Sequence, residues 1–359
     1  MTVYLLAGGG TAGHVNPLLA IADRLRERDA DDEVLVLGTS VGLEARLVPD
    51  RGYELLTIPR LPLPRRPSRD AIAFPMRFRR AVRQVEGYIR DRGVDVVVGV
   101  GGYASAPAYV AAHRQRVPIA VHEANARPGY ANRLGARYTT HVGVAFQGTP
   151  LKHAQWVGMP LRPEIERLDR ATARPLAIEV FRLDESRPTL LVTGGSSGAQ
   201  RINETLAASI EEVVSTGWQV LHITGALRGE VVDPGIPGYR PFKYIDRMDL
   251  ALAAADLAVT RAGTSTVAEV TALGIPAVFV PYPVGNGEQR LNALEAVRAG
   301  GAVLVEDAAF TPEWISRELV PLLADRSSIR AMAERIATVG VIDGTDRMVA
   351  LIDAATGRK

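Results

Sequence analysis

Val3-Tyr4-Leu5-Leu6-Ala7-Gly8-Gly9-Gly10-Thr11-Ala12-Gly13-His14 opens this chain of 359 residues. About half the chain later, Thr189-Leu190-Leu191-Val192-Thr193-Gly194-Gly195-Ser196-Ser197-Gly198 repeats the plan. Each stretch is a short, largely apolar run, then glycines, then a segment of helical period. Such a run fits a strand covered on both faces, and the glycines let the chain turn sharply into a helix. Two openings of this kind predict two similar Rossmann-like domains.

Working outward from them, the rhythm persists. In the first half the apolar runs predict strands at Val3–Ala7, Glu33–Leu37, Leu55–Ile58, Val94–Val100, Ile119–His122 and His141–Val144. Helical period predicts helices at Pro17–Arg28, Ile72–Arg92 and Ala106–Arg116. In the second half, strands are expected at Thr189–Thr193, Gln219–Ile223, Leu257–Thr260, Ala277–Val280 and Ala302–Val305. Helices are expected at Arg201–Ser215, Thr264–Leu273 and Glu288–Ala299. Apolar strands alternating with helices indicate an α/β class with parallel sheets covered on both faces. The stretch Gly158-Met159-Pro160-Leu161-Arg162-Pro163 has the composition of a hinge, and a last helix at Thr345–Ala355 is expected to return to the first domain. The expected domains are 1–161 plus 340–359, and 162–339. Two such sheets facing each other leave a cleft at the carboxyl ends of their strands, where ligands bind in open α/β folds.

Composition narrows the chemistry. Hydrophobic residues make up 47% and charged residues 23%, ordinary globular values that argue against global disorder. The chain has no cysteine, which removes disulfides, thiolate metal sites and cysteine nucleophiles. The first residues lack the basic start and long apolar stretch of a signal peptide, and no run approaches the roughly 20 apolar residues of a membrane span. A soluble or peripheral protein is expected. The net charge of +2 says nothing by itself about nucleic acid.

Gly8 to Gly13 satisfies the dinucleotide fingerprint G-x-G-x-x-G, yet the second strand ends Leu37-Gly38-Thr39-Ser40 with no carboxylate to hold a ribose. A nicotinamide-dependent enzyme is therefore set aside. The loop retains two possible roles, an anion seat at a helix start or a tight turn alone. His14 lies in the first turn of that helix, where the neutral imidazole is favoured. It is a candidate base for a sugar hydroxyl, or a group that only hydrogen-bonds a phosphate or caps the helix. Arg261-Ala262-Gly263-Thr264-Ser265-Thr266-Val267-Ala268-Glu269 follows a strand and offers hydroxyls and free N–H groups to a diphosphate. Glu269, about a turn further in, suits the two hydroxyls of a ribose.

Arg65, Arg66, Arg69, Arg77, Arg79, Arg80 and Arg83 share a segment with Ile72, Phe74, Met76 and Phe78. Basic and large apolar residues interleaved in this way suit an anionic membrane surface. No nucleic-acid recognition motif accompanies them. The six histidines form no metal-ligand spacing, and His122-Glu123 places its two side chains on opposite faces of a strand. The nearest approach to an Asp-x-Asp metal motif is Asp29 and Asp31 around Ala30, in an expected surface turn. Neither metal nor cofactor is expected.

Taken in order and spacing, these motifs resemble the MurG family, transferases that add N-acetylglucosamine to undecaprenyl-pyrophosphoryl-N-acetylmuramoyl-pentapeptide in bacterial cell-wall synthesis. The resemblance rests on the first glycine loop with His14, Gly101-Gly102-Tyr103-Ala104-Ser105, His122-Glu123-Ala124-Asn125, Gly158-Met159-Pro160-Leu161-Arg162, Gly194 to Ala199, Arg261 to Glu269, Glu288-Gln289 and Asn292. It implies a GT-B fold and a metal-independent, inverting transfer forming a β-1,4 link, with lipid I converted to lipid II in peptidoglycan synthesis. It also implies a peripheral enzyme on the cytoplasmic face of the membrane, serving cell shape and division.

Residue by residue, the resemblance places Ile245 and Met248 at the uracil, Glu269 at the ribose, and Thr264, Ser265 and Thr266 at the diphosphate. Ser196 and Arg162 would also contact the nucleotide, and Gln289 the sugar. Thr11, Ala12, Gly13 and Asn125 match donor-binding positions in the first domain. Gly10, Tyr103, Glu123 and Asn125 fall on the acceptor side, with Glu123 the alternative to His14 as base. Ile72, Phe74, Met76, Arg77, Phe78 and Arg80 match the membrane-associating patch. Met159, Ala124, Ser197, Glu288, Thr264 and Ser265 depart from the usual residues. Of these, Glu288 adds a carboxylate beside the expected sugar pocket. Other readings are a different GT-B enzyme, such as a glycolipid synthase or a UDP-sugar 2-epimerase, and a catalytically degenerate sugar-binding scaffold. The co-presence of His14, Asn125, Glu269 and Gln289 weighs against the scaffold.

Overall fold

The computed structural model describes residues 1–62, 64, 69–195, 199–225, 233–284 and 287–357. Arg65, Arg66, Ser196 and Ser197 lie outside the described residues. The chain divides into two compact units, Met1–Arg162 with Asp343–Lys359, and Pro163–Ile342. The division falls after Arg162, and the return to the first unit comes at Asp343.

The first unit is a parallel sheet of β1 (Val3–Ala7), β2 (Glu33–Gly38), β3 (Glu54–Thr57), β4 (Val96–Gly99), β5 (Ile119–Glu123), β6 (Val142–Val144) and β7 (Ala154–Trp156). Their order across the sheet is β3-β2-β1-β4-β5-β6-β7. Its helices are α1 (Ala12–Arg28), α2 (Glu44–Asp50), α3 (Arg69–Arg92), α4 (Ser105–Gln115) and α5 (Tyr130–Gly135), with a C-terminal helix at Gly344–Thr356. The two-residue period of a strand decides what β1 buries. Val3, Leu5 and Ala7 enter the core cluster under α3 and α4, which includes Val82, Val85 and Tyr109. Tyr4 and Leu6 enter the opposite cluster, with Leu18 and Ile21 of α1 and Met348, Leu351 and Ile352 of the C-terminal helix. Each Val, Leu, Ile or Met side chain among them taken fully out of water is worth ~1.5–3 kcal/mol. Arg24 and Arg28 of α1 pair with Asp346 and Asp353, which fixes the returning helix along α1.

The second unit repeats the plan with β8 (Thr189–Thr193), β9 (Gln219–Ile223), β10 (Tyr239–Phe242), β11 (Leu257–Thr260), β12 (Ala277–Phe279) and β13 (Ala302–Leu304). These are parallel, in the order β10-β9-β8-β11-β12-β13. Helices α6 (Pro163–Glu166), α7 (Arg170–Phe181), α8 (Gln200–Ser215), α9 (Met248–Ala254), α10 (Thr264–Ala272) and α11 (Glu288–Arg298) connect or cover them. Both units thus carry a doubly wound sheet whose central strand runs into glycine.

Three local expectations shift. Helix α1 begins at Ala12, inside the glycine loop, rather than at Pro17. Proline lacks only the N–H that would reach the Gly13 carbonyl, a loss tolerable so near the helix start. Strands β7 and β10 were not expected. Both are sheet edges of mixed composition, and Pro241 sits in β10 where no further strand needs its N–H. No helix among the described residues is long and apolar enough to cross a membrane.

Candidate active site

In each unit the predicted loop residues among those described lie toward the carboxyl end of its own sheet. In the first unit, β1 hands the chain to Gly8-Gly9-Gly10 and β4 to Gly101-Gly102. These turns meet backbone to backbone: a Cβ added at Gly102 (φ +86°) would lie 2.5 Å from the Gly9 carbonyl oxygen. Ser105 stitches the second turn down, accepting from the Gly101 N–H at 3.0 Å and donating toward the Ala7 carbonyl at 2.8 Å. Absence of a side chain at Gly101 leaves room beside the His14 Nε2, which a Cβ there would approach to 3.0 Å. Tyr103 borders Gly10, and the Arg60 guanidinium lies 5.0 Å from its ring centre.

His14 is half-buried in the first turn of α1, its Nδ1 3.4 Å from the Thr11 hydroxyl. Burial pushes its pKa below the usual 6.5, against the opposing pull of Glu123 and Glu44. The neutral ring is the form a base requires. Glu123, at the end of β5, is buried and its oxygens are occupied. One accepts from the Asn125 backbone N–H at 2.9 Å and from the Asn125 amide at 3.3 Å. The other accepts from the Gly129 N–H and the Asn132 amide, each at 2.9 Å. In this arrangement Glu123 organises the loop that carries Asn125. Neighbouring His122 is fully buried with its Nε2 2.9 Å from the Gly158 carbonyl, and burial lowers its pKa to about 4.

One residue at this end escaped the sequence analysis. Glu44, the first residue of α2, is 1% exposed and turns its carboxylate into the first glycine loop. It accepts from the Gly10 N–H at 2.8 Å, the Thr39 N–H at 3.0 Å and the Thr39 hydroxyl at 2.8 Å. A carboxylate does stand at the end of β2, supplied from six residues beyond Gly38. It fills the loop instead of waiting for a ribose. Only the crowding of glycines at 9, 38 and 42 hinted that something must fit between them.

In the second unit, β11 ends at Thr260 and the chain enters α10 through Gly263, whose position before the helix carries no side-chain cap. The first-turn amides of Thr264, Ser265 and Thr266 have no intrahelical acceptor, and the Ser265 hydroxyl is buried without a partner among the described residues. Glu269 is buried on the same helix. Arg261 does not face this helix start. It bonds the Val280 and Pro281 carbonyls and pairs with Asp307, tying the ends of β11 and β12 together. Asn292 reaches the Ala262 carbonyl at 3.3 Å. Gln289, on the first turn of α11, accepts from the Tyr282 N–H at 2.9 Å through its side-chain oxygen. Ile245 and Met248 are half-buried just before and at the start of α9. Ser196 lies outside the described residues. Arg162 ends the first unit.

The basic and apolar segment is the start of α3, and its apolar side chains divide. Ile72 is 83% and Met76 75% exposed. Phe74 and Phe78 stack on each other at 5.9 Å and pack, partly buried, against the core cluster beneath α3, so they form the inward-turned pair of the expected patch. Helical spacing puts 74 and 78 on one face and 72 and 76 on another. Arg77 pairs with Asp70 at 2.9 Å, while Arg80 remains exposed. No metal-binding group of histidines and carboxylates occurs among the described residues. A cavity of about 570 Å³ near His113, Arg137 and His141 lies at the amino ends of β5 and β6 and holds none of the predicted residues.

Against known proteins, residues 4–144 match the glycosyltransferase family 28 N-terminal domain, and residues 189–348 its C-terminal domain. A UDP-N-acetylglucosamine--N-acetylmuramyl-(pentapeptide) pyrophosphoryl-undecaprenol N-acetylglucosamine transferase of Leifsonia xyli is 66% identical over 98% of both chains. One of the same name from Clavibacter sepedonicus is 58% identical over 100% of this chain and 98% of its own. The crystal structure of Acinetobacter baumannii MurG superposes with a TM-score of 0.80 at 27% identity, covering 99% of this chain and 100% of that one. Two doubly wound units with these matches make a GT-B glycosyltransferase. The chain belongs to glycosyltransferase family 28 and, within it, to the MurG family of N-acetylglucosamine transferases.

Proposed function

We propose that the second unit holds the UDP-sugar, and that the first unit holds the lipid-linked acceptor and supplies the base. The enzyme transfers N-acetylglucosamine from UDP-N-acetylglucosamine to the muramoyl C4 hydroxyl of lipid I, giving lipid II. The observation that carries the division of labour is the open start of α10, with first-turn amides that lack intrahelical acceptors and a Ser265 hydroxyl that has no partner among the described residues. Such a helix start suits a diphosphate, and it matters more as the leaving group gains charge. Thr264 and Thr266 complete the anion seat. Glu269 accepts from the ribose hydroxyls, the backbone at Ile245 meets the uracil with Met248 beside it, and Gln289 turns its amide to the sugar. Arg162 and Ser196 add to the nucleotide contacts.

The chemistry is one displacement. The acceptor hydroxyl attacks the anomeric carbon from the face opposite UDP, and the bond to the diphosphate oxygen breaks as the new glycosidic bond forms. His14 takes the hydroxyl proton at its free nitrogen. Asn125, Tyr103, Gly10 and the loop around Thr11, Ala12 and Gly13 position the sugars, and Glu123 holds Asn125 in place. No metal or cofactor is called on. The exposed Ile72 and Met76, with Arg77 and Arg80 alongside, dock the first unit on the anionic cytoplasmic face of the membrane.

A turnover assay with a short-chain lipid acceptor tests this, comparing UDP-N-acetylglucosamine with its galactose epimer. Transfer from the first donor into a β-1,4-linked product is expected. Transfer from neither donor would overturn the function. Calorimetry detecting no UDP binding would remove the nucleotide site from the start of α10.

A further inference from the structure

We propose that Glu44 is a built-in anion of the first glycine loop and a positioning residue for His14, a role that rests on His14 being the base. The surroundings of its carboxylate offer donors: two backbone N–H groups and the Thr39 hydroxyl, at 2.8–3.0 Å. The start of the 17-residue α1 lies just beyond Gly10 and adds a partial positive charge. The backbone has been cut to fit this one side chain, because a Cβ at Gly9 or Gly42 would overlap the Glu44 carboxyl and one at Gly38 would lie 2.6 Å from its Cγ. A glutamine of the same shape would turn an NH₂ group toward a donor. The charge, as well as the size, is what the loop accommodates.

Two consequences follow for the acceptor side. The Gly10 N–H is already spent on Glu44, so it is not left as a donor for a bound diphosphate. The charged and titratable groups whose fields reach His14 are Glu44 of α2 and Glu123 and His122 of β5, and the Thr11 hydroxyl lies 3.4 Å from its Nδ1. The two carboxylates favour the protonated imidazole that forms as His14 accepts its proton. Glu123 organises the Asn125 loop, and Glu44 does the same for the glycine loop.

The test measures kcat and KM against pH for the full-length enzyme and for Glu44→Gln, Glu44→Ala and His14→Ala. Donor and short-chain lipid acceptor are those of the transfer assay. With Glu44→Gln folded by circular dichroism, kcat is expected to fall roughly tenfold or more, as when the partner behind a functional group is removed. Its acid limb should move to lower pH because His14 loses a neighbouring charge, while KM for the UDP-sugar stays the same. Formate, but not formamide, should restore part of the kcat of Glu44→Ala. Wild-type kcat and an unmoved acid limb in Glu44→Gln would overturn the proposal, as would equal rescue by both additives. If His14→Ala instead keeps full turnover, the base assignment fails and takes the positioning role with it. In that case the Gly10 amide resonance, read by NMR, still decides the loop anion: it shifts in Glu44→Gln, or the built-in anion is refuted.

Discussion

The two units solve the same local problem in opposite ways. Each runs a buried strand through glycine into a helix, which brings backbone N–H groups to the carboxyl edge of a parallel sheet. In the first unit the protein's own carboxylate, Glu44, occupies that place. In the second, Gly263 opens α10 without a cap, and the Ser265 hydroxyl has no partner among the described residues. A glycine-rich strand–helix turn is therefore not a phosphate site in itself. What decides is whether a neighbouring element has already filled it, and that depends on residues a crossover away.

The sharpest way to break this contrast is His14→Ala. Loss of a general base lowers kcat by about 10²–10⁴, and UDP affinity measured by calorimetry should not change if the nucleotide belongs to the other unit. A parallel loss of UDP binding would place the nucleotide at the first loop after all. The converse variant, Glu269→Ala, should weaken UDP by roughly 10–100-fold, the range for hydrogen bonds to a charged group. Its kcat at saturating donor should change less, and wild-type UDP affinity would remove Glu269 from the ribose.

A stability pair sharpens the comparison further. Gly9→Ala puts a methyl on the Glu44 carboxyl at φ +143°, and chemical denaturation should show a loss of about 1–3 kcal/mol. Gly263→Ala meets open space at an ordinary φ of −65°, and the loss should stay within about 1 kcal/mol. Equal losses would mean that the first loop is no more tightly filled than the second.

Acid pH separates the two loops as well. Burial alone would raise the Glu44 pKa, but the Gly10 and Thr39 hydrogen bonds outweigh it and hold the group below its ordinary 4.5. Stability from this charge is fully present above about pH 4.5 and is lost as pH falls through the folded value. Urea unfolding of the wild type and Glu44→Gln should therefore converge below pH 4.5; a gap that stays constant to pH 3 would assign the effect to shape. Smallest in effect on the purified enzyme is the pair Ile72→Ser with Met76→Ser. Flotation with anionic vesicles should drop severalfold while stability and turnover on a soluble acceptor analogue stay level. Undiminished flotation would move the membrane surface elsewhere.

Much of this was legible in the residues. Strands Val3–Ala7, Thr189–Thr193, Gln219–Ile223 and Leu257–Thr260 lie where their apolar runs predict, because a strand buried on both faces must be apolar throughout. The edge strands β7 and β10 were not legible. An edge is half solvated and short, and Tyr239-Arg240-Pro241-Phe242 carries no such run. In the site, His14, Asn125, Glu269 and Gln289 were marked by motif, and each is found at the carboxyl edge of its own sheet. The outward set on α3 was marked by composition and then split by the helix, which turned Phe74 and Phe78 onto the core and left Ile72 and Met76 outside.

By itself the sequence determined two strand–glycine–helix units, the family, and the residue types offered to a nucleotide and a sugar. Those properties are written in windows of five to fifteen residues, where side-chain period and turn chemistry act locally. Only the tertiary structure decided that Glu44 closes one loop from 34 positions beyond Gly10, that Glu123 is spent on its own loop, and that Arg261 ties strand ends together. A buried charge takes its partners from whatever the sheet order and crossovers bring beside it. That proximity is a property of the packed chain, and no stretch of neighbouring residues encodes it.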